Sequence, residues 1–498
     1  MTDQPRRTGV IQTRSGAVQG VVDPLWGAQV YRGLPYAQAE RFAEPRSPEP
    51  WIGVRDAAGN GPVAPQNAPE FNLSVLPAMD EACLNLNVFT PAADAARRPV
   101  LVYIHAGAFV SGAGSGATQD GARLAAEEDV VVVTINYRLG ILGWPPFSAR
   151  GAGAGRNLGL SDQVAALAWI GDHIAAFGGD PGKVTLFGYS AGGWSIVALL
   201  ALPAAKGLFH RAVVQSGSEF SATSPGDQDA LAARVLALTG AADASELISA
   251  PLDRLLAAQQ ALLEERQNDP ARRVDEGVVF GPRIDPASLA EPPMATVLAG
   301  REHPLPLLIG STEDELGWTP FRAGLDWLAA LHTRDASLET PTRAFGAARA
   351  RAIWDAYAAA YPGADDAALA GRIRSDRYYR LPAIHAAEAH AARAPTWMYR
   401  FELKAPSEVA GNVSTHATDL AFWLGTMAAS PLQRFLFGRA PTVDEEALAR
   451  RMRADLAMFA RTGRCAWPPY RAGERLTRLY DLQDSLAEDP GGGVRDVW

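Results

Sequence analysis

The chain has 498 residues, a net charge of −9, 48% hydrophobic and 20% charged residues, which suits a globular protein with a large buried core. The acidic balance and the lack of a basic block exclude a phosphate-neutralising nucleic-acid surface. Cys83 and Cys465 are the only cysteines, too few for a disulfide framework or a metal cluster, so both are expected to be free thiols.

The opening MTDQPRRTGV has two arginines but no apolar run after them, and no stretch approaches the roughly 20 apolar residues of a membrane span. A cytoplasmic protein with no membrane contact is expected. No composition shift marks a linker, so residues 1–498 read as one domain with insertions.

Residues 10–37 alternate short β-prone runs with glycine turns, predicting small antiparallel strands at a sheet edge. The proline-rich stretch that follows, as far as Pro77, reads as loop, and Asp80 to Val88 alternates again as a strand. VLVYIH, Val100 to His105, predicts a buried strand, with Ala106, Gly107, Ala108 and Phe109 at its carboxyl end. Ligands of α/β sheets bind at such ends, and small residues there let backbone N–H groups approach a substrate oxygen. A plain tight turn is the alternative. DVVVVTINY, Asp129 to Tyr137, is the strongest buried-strand signal, and Leu158 to Phe177 has helical spacing that Gly178-Gly179-Asp180-Pro181 ends.

Lys183 to Pro203, KVTLFGYSAGGWSIVALLALP, reads as a buried strand, an abrupt turn and an apolar helix. Gly188-Tyr189-Ser190-Ala191-Gly192 fits a nucleophile elbow, in which a strained strand-to-helix corner projects the Ser190 hydroxyl and glycines remove side chains that would collide. The five residues alone occur often by chance in a chain with 47 glycines. The strand Val184 to Phe187 before them and the helix Trp194 to Leu202 after them supply the context the motif needs.

RNLGLSDQVAALAWIGDHIAAFGGDPGKVTLFGYSAGG resembles the signature block of the type-B carboxylesterase and cholinesterase-like family. YRGLPYA, DEACLNLNVF and VYIHAGAF upstream, and AVVQSGS and WPPY downstream, extend the resemblance over most of the chain. It implies an α/β-hydrolase fold, with a mostly parallel central sheet flanked by helices and helical cap insertions. It also implies hydrolysis of carboxylic esters by a Ser-Glu-His triad, with a small-molecule ester and water as partners and no metal or cofactor.

In that fold the order along the chain is nucleophile, acid, histidine. After the apolar run Pro306 to Ser311 comes Thr312-Glu313-Asp314-Glu315. The family's G-x-x-x-D-E-G segment puts the acid on Glu315, although Leu316 stands where glycine is common and Asp314 remains the rival. Of eight histidines, His416 lies in VSTHATDL after the strand MYRFEL and resembles the family's G-A-x-H-x-x-D-L segment. The resemblance further implies Gly107, Ala108 and Ala191 as oxyanion donors, with Tyr189 and Phe109 facing substrate.

Tyr189 is a departure, because the family most often has glutamate before the nucleophile. The lost charge predicts a preference for neutral over cationic esters, unless the ring merely packs inward. Arg41 with Glu81, and Arg138 with Asp162, match family ion pairs. Cys83 matches a cysteine that is disulfide-bonded in secreted members, but its upstream partner is missing here. Residues 322–395, with Trp327, Trp354, Tyr378 and Tyr379, correspond to a cap; Asp444 to Gly463 reads as a surface helix and GGGVRDVW as a frayed tail. A hydrolase of aryl carbamates or toxin esters would share every one of these residues. A non-catalytic interaction protein of the family typically lacks the nucleophile that Ser190 retains.

Overall fold

A computed structural model describes residues 6–67, 76–148, 155–217, 225–268, 278–286, 288–317, 332–407 and 410–498. Trp327 and the first part of the expected cap lie outside them.

The described strands are β1 (Arg7–Gln12), β2 (Ala17–Val22), β3 (Gln29–Pro35), β4 (Val54–Asp56), β5 (Asn85–Thr90), β6 (Arg98–Ile104) and β7 (Val131–Ile135). They continue with β8 (Gly179–Tyr189), β9 (Arg211–Gln215), β10 (Leu307–Thr312), β11 (Thr396–Phe401), β12 (Leu476–Tyr480) and β13 (Ser485–Glu488). All join one sheet in the order β1-β2-β3-β5-β7-β6-β8-β9-β10-β11-β12-β13, with β4 beside β2. From β7 to β12 every neighbour runs parallel, and the flanking pairs at each end of that run are antiparallel. The glycine-punctuated first strands thus form the antiparallel edge that their sequence predicts.

Parallel strands buried on both faces need continuous apolar runs, and successive side chains then serve opposite layers. Val100, Val102 and Ile104 of β6 pack into a core with the helices Leu158–His173 and Ala191–Ala201, while Leu101 and Tyr103 face a second core with the helix Val443–Thr462. The last helix is therefore less of a surface element than its charged sequence suggests. A capping box between Thr442 and Glu445 starts it, and Leu448, Met452, Leu456 and Phe459 bury one face against the sheet. Strand β5 also departs from its alternating pattern, since all six of its residues are buried. Asn87 in it is satisfied by the neighbouring strand and a loop, accepting from the Gly33 amide of β3 at 3.0 Å and donating to the Gly114 carbonyl at 3.1 Å.

Both family-type ion pairs form. Arg41 donates to Glu81 at 2.9 Å, and the wholly buried Asp162 takes two bonds from the Arg138 guanidinium at 2.8 and 2.6 Å. Cys83 and Cys465 are free thiols, and burial pushes the Cys83 thiol up to about 12.

The tail is not frayed. Residues Gly492–Arg495 form a short helix, Val494 is buried, and the Trp498 indole donates to the Tyr357 hydroxyl at 3.0 Å. Val494, Val497 and Trp498 join a small apolar cluster with Ile353, Trp354 and Leu369, partners too distant in sequence for a local reading to find. Among the described residues no helix is long and apolar enough to cross a membrane.

Candidate active site

Four parallel strands, β6, β8, β10 and β11, end along one edge with β9 between β8 and β10, Ile104 level with Gly188 and Thr312 level with Phe401. The segments leaving those ends carry the expected triad and oxyanion-loop residues, at the edge where open α/β sheets bind their ligands.

Ser190 follows β8 with φ 55° and ψ −121°, the last residue before the Ala191–Ala201 helix. Such a conformation costs about 1–3 kcal/mol and persists only where the surroundings impose it. Here the Ser190 amide donates to the Gln215 carbonyl and the Ser190 carbonyl accepts from the Trp194 amide, each at 2.9 Å. Glycine at 192 is obligatory, because a Cβ there would lie 2.0 Å from the Ile104 carbonyl oxygen.

The Ser190 hydroxyl lies 3.0 Å from His416 Nε2, and His416 Nδ1 is hydrogen-bonded to Glu315 Oε2. Glu315 is 1% exposed, and its other oxygen accepts from the Thr312 amide at 2.8 Å. The backbone reinforces this pairing: the His416 amide and the Thr415 hydroxyl both donate to the Glu315 carbonyl, at 3.0 and 3.1 Å. With Nδ1–H committed to a carboxylate, Nε2 is left as the acceptor facing serine.

After β6 the chain turns at Gly107, Ala108 and Phe109, with φ of 122°, 51° and 64°. A Cβ at 107 would lie 2.0 Å from the Ser111 carbonyl oxygen, so glycine is required there. Among the described residues, no intramolecular acceptor is bound by the amides of Gly107, Ala108 or Ala191. Buried His105 anchors the turn, donating Nδ1–H to the Ala106 carbonyl at 2.8 Å and stacking on Tyr137; burial pushes its pKa down to about 4, so it stays neutral.

The carboxylesterase family model matches residues 7–483. Para-nitrobenzyl esterase of Bacillus subtilis is 37% identical over 97% of this chain and 96% of its own length. Phenmedipham hydrolase of Pseudarthrobacter oxydans is 32% identical over 93% of each chain. A solved Geobacillus stearothermophilus carboxylesterase superposes with a TM-score of 0.85 at 33% identity, covering 99% of this chain and 100% of that one. The chain belongs to the carboxylesterase family. It is a carboxylic ester hydrolase with the α/β-hydrolase fold.

In this carboxylesterase Asp314 and Glu315 part company. Asp314 turns away from His416, accepts from Ser375 Oγ at 3.1 Å and lies 3.6 Å from Arg372; burial raises its pKa to about 6. The other buried histidine–carboxylate pair, His390 with Glu302 at 2.8 Å, has its second ring nitrogen on the Leu305 carbonyl at 2.7 Å and faces no hydroxyl.

The two residues expected to face substrate are buried. Tyr189 is 3% exposed, with its ring centroid 4.6 Å from that of His416. Phe109 is wholly buried, edge-on between Trp144 and Trp194 at 5.0 Å from each. At an elbow the strand residue before the nucleophile alternates away from the serine, which sends Tyr189 inward.

Sequence reasoning missed the role of Asp419 and the contact of Tyr379 with the histidine. Asp419 is fully buried, accepts from Trp423 Nε1 at 3.0 Å and Tyr399 Oη at 3.2 Å, and is raised to about 6 by burial and then by Glu315. The signal was its position three residues after His416. Tyr379, named from the sequence only as one of the cap aromatics, sits with its ring centroid 5.0 Å from that of His416.

Proposed function

We propose that this carboxylesterase hydrolyses small to medium, neutral carboxylic esters through an acyl-enzyme on Ser190, with His416 as base and Glu315 as its partner. The observation that carries the reading is the unbroken hydrogen-bond line from Ser190 Oγ through the His416 imidazole to buried Glu315.

As Ser190 Oγ attacks the ester carbonyl carbon, His416 Nε2 takes its proton, and the carbonyl π electrons move onto oxygen. Glu315 fixes the imidazole tautomer and offsets the imidazolium charge without itself taking the proton. The developing oxyanion is received by the amides of Gly107, Ala108 and Ala191, which bind no acceptor among the described residues. Collapse of the tetrahedral intermediate breaks the bond to the alcohol, which leaves with the proton from His416. Water, deprotonated by the same histidine, then releases the acid.

The preference for neutral esters rests, as in the sequence, on the charge missing at position 189. Tyr189 faces His416 instead of the substrate, so its effect is the absence of a carboxylate behind the site. Residues 322–395 act as a cap, a role supported by the helices Arg334–Phe345 and Ala347–Ala360 and by the reach of Tyr379 to His416. The test is Ser190→Ala with p-nitrophenyl esters of graded acyl length. Folded Ser190→Ala should lose at least about a thousandfold in turnover; near-normal turnover would refute the assignment. A wild type preferring choline esters to their neutral isosteres would refute the substrate class.

A further inference from the structure

His416 is tethered at both nitrogens by hydrogen bonds, but the one to Ser190 is consumed at each turnover. Once Nε2 holds the serine proton, the ring must turn it toward the departing alcohol without drifting. Hydrogen bonding to Glu315 still lets the ring tilt within what its χ1 and χ2 torsions allow, and further contacts narrow that range.

Two tyrosine rings supply such contacts, Tyr189 at 4.6 Å and Tyr379 at 5.0 Å between centroids, both tilted on the imidazole. Tyr189 is fixed by the elbow strand. Tyr379 belongs to Asp376–Arg380, a single π-helical turn between the helices Asp366–Ser375 and Leu381–Ala391. Such turns are rare and gather at functional sites, because the extra residue redirects a side chain from the helical register.

That turn is clamped from behind. Asp376 accepts from the Arg380 guanidinium at 2.6 Å and from the Tyr357 hydroxyl, which in turn accepts from the Trp498 indole at 3.0 Å. Arg380 also donates to the carbonyls of Pro490 and Gly491 at 3.1 and 3.4 Å. On the opposite side Ser375 accepts from the Leu316 amide at 2.8 Å, next to Glu315. The turn and the serine just before it thus touch the acid loop, the histidine and the tail.

We propose that Tyr379 is a positioning residue whose ring keeps the His416 imidazole aligned between Glu315 and Ser190, and that residues 490–498 hold its π turn in place through Asp376 and Arg380. This rests on the assignment of His416 as the base. The rings also offer the imidazolium an electron-rich neighbour, so the contact serves the transition state more than the bound ester.

The test compares Tyr379→Phe, Tyr379→Leu, Trp498→Ala and Ser190→Ala in the full chain, with p-nitrophenyl butyrate. Competent sites are counted by the burst with a p-nitrophenyl organophosphate, so that kcat refers to folded enzyme. Tyr379→Phe should stay within about threefold of wild type, and Tyr379→Leu should lose about tenfold or more in kcat with KM within twofold. Trp498→Ala should lower kcat per competent site by a smaller factor, about threefold. Wild-type kcat in Tyr379→Leu, or a raised KM at unchanged kcat, overturns the positioning role. Wild-type kcat in Trp498→Ala overturns the clamp. Both of these leave the assignment of Ser190 intact if Ser190→Ala is inactive, whereas an active Ser190→Ala overturns the underlying mechanism.

Discussion

Replacing Glu315 by glutamine alters one atom and inverts the histidine. In the native site Oε1 accepts from the Thr312 amide at 2.8 Å and Oε2 accepts from His416 Nδ1–H. A glutamine must keep its carbonyl oxygen on the Thr312 amide, because its NH2 group cannot accept. Its NH2 therefore faces His416 Nδ1, which then has to become the acceptor. The ring proton moves to Nε2, and that nitrogen, 3.0 Å from Ser190 Oγ, can no longer receive the serine proton. Wrong-tautomer variants of the analogous acid lose about ten-thousandfold in kcat, or about 5 kcal/mol of transition-state stabilisation. Asp314→Asn keeps its acceptor for Ser375 Oγ and touches neither His416 nor Ser190, so it should stay within about tenfold. Steady-state hydrolysis of p-nitrophenyl acetate, with competent sites titrated in each variant, measures both. Equal losses in the two variants, or turnover within tenfold of wild type in Glu315→Gln, would refute the reasoning.

Three further expectations follow from buried groups. Asp162→Asn leaves the Arg138 guanidinium buried and unneutralised, which should cost about 3–5 kcal/mol and, for a chain of this size, lower Tm by about 3–5 °C in calorimetry; an unchanged Tm would contradict it. Asp419 has a folded-state pKa raised to about 6, so its protonated form stabilises the fold at low pH and that contribution fades as pH rises through 6. Asp419→Asn mimics the protonated form, so its stability relative to wild type should improve between pH 5 and pH 7.5 in denaturant titrations, and a constant difference would be inconsistent with the raised pKa. Burial raises the thiols of both Cys83 and Cys465, so Ellman's reagent at pH 8 should label neither within minutes in the native protein and both after unfolding. Rapid native labelling of Cys83 would show that its pocket opens.

What could be read from the sequence was what backbone sterics or chain order dictate. The elbow is legible because a Cβ at 192 would lie 2.0 Å from a carbonyl oxygen, so glycine is written into the motif. The parallel strands are legible because both faces are buried and the runs are apolar throughout. Glu315 and His416 were reachable only through chain order and family resemblance, since three adjacent carboxylates and eight histidines look alike locally. What stayed hidden depends on distant partners. The orientation of Tyr189 follows from strand alternation only once the serine's direction is known, and the tail docks through Tyr357 and Arg380, more than 100 residues upstream. Asn87 is buried in an alternating strand because its hydrogen bonds go to Gly33 and Gly114, partners that the sequence cannot bring near.

The most direct test of the central claim is to find which atom the enzyme acylates. A fluorophosphonate or diethyl p-nitrophenyl phosphate, incubated with the native protein and followed by peptide mass mapping, should attach one phosphoryl group per chain. The account predicts that it lies on the peptide containing Ser190, that Ser190→Ala takes up none, and that uptake and loss of esterase activity run in parallel. Stoichiometric labelling elsewhere, or full inhibition with Ser190 unmodified, would contradict it.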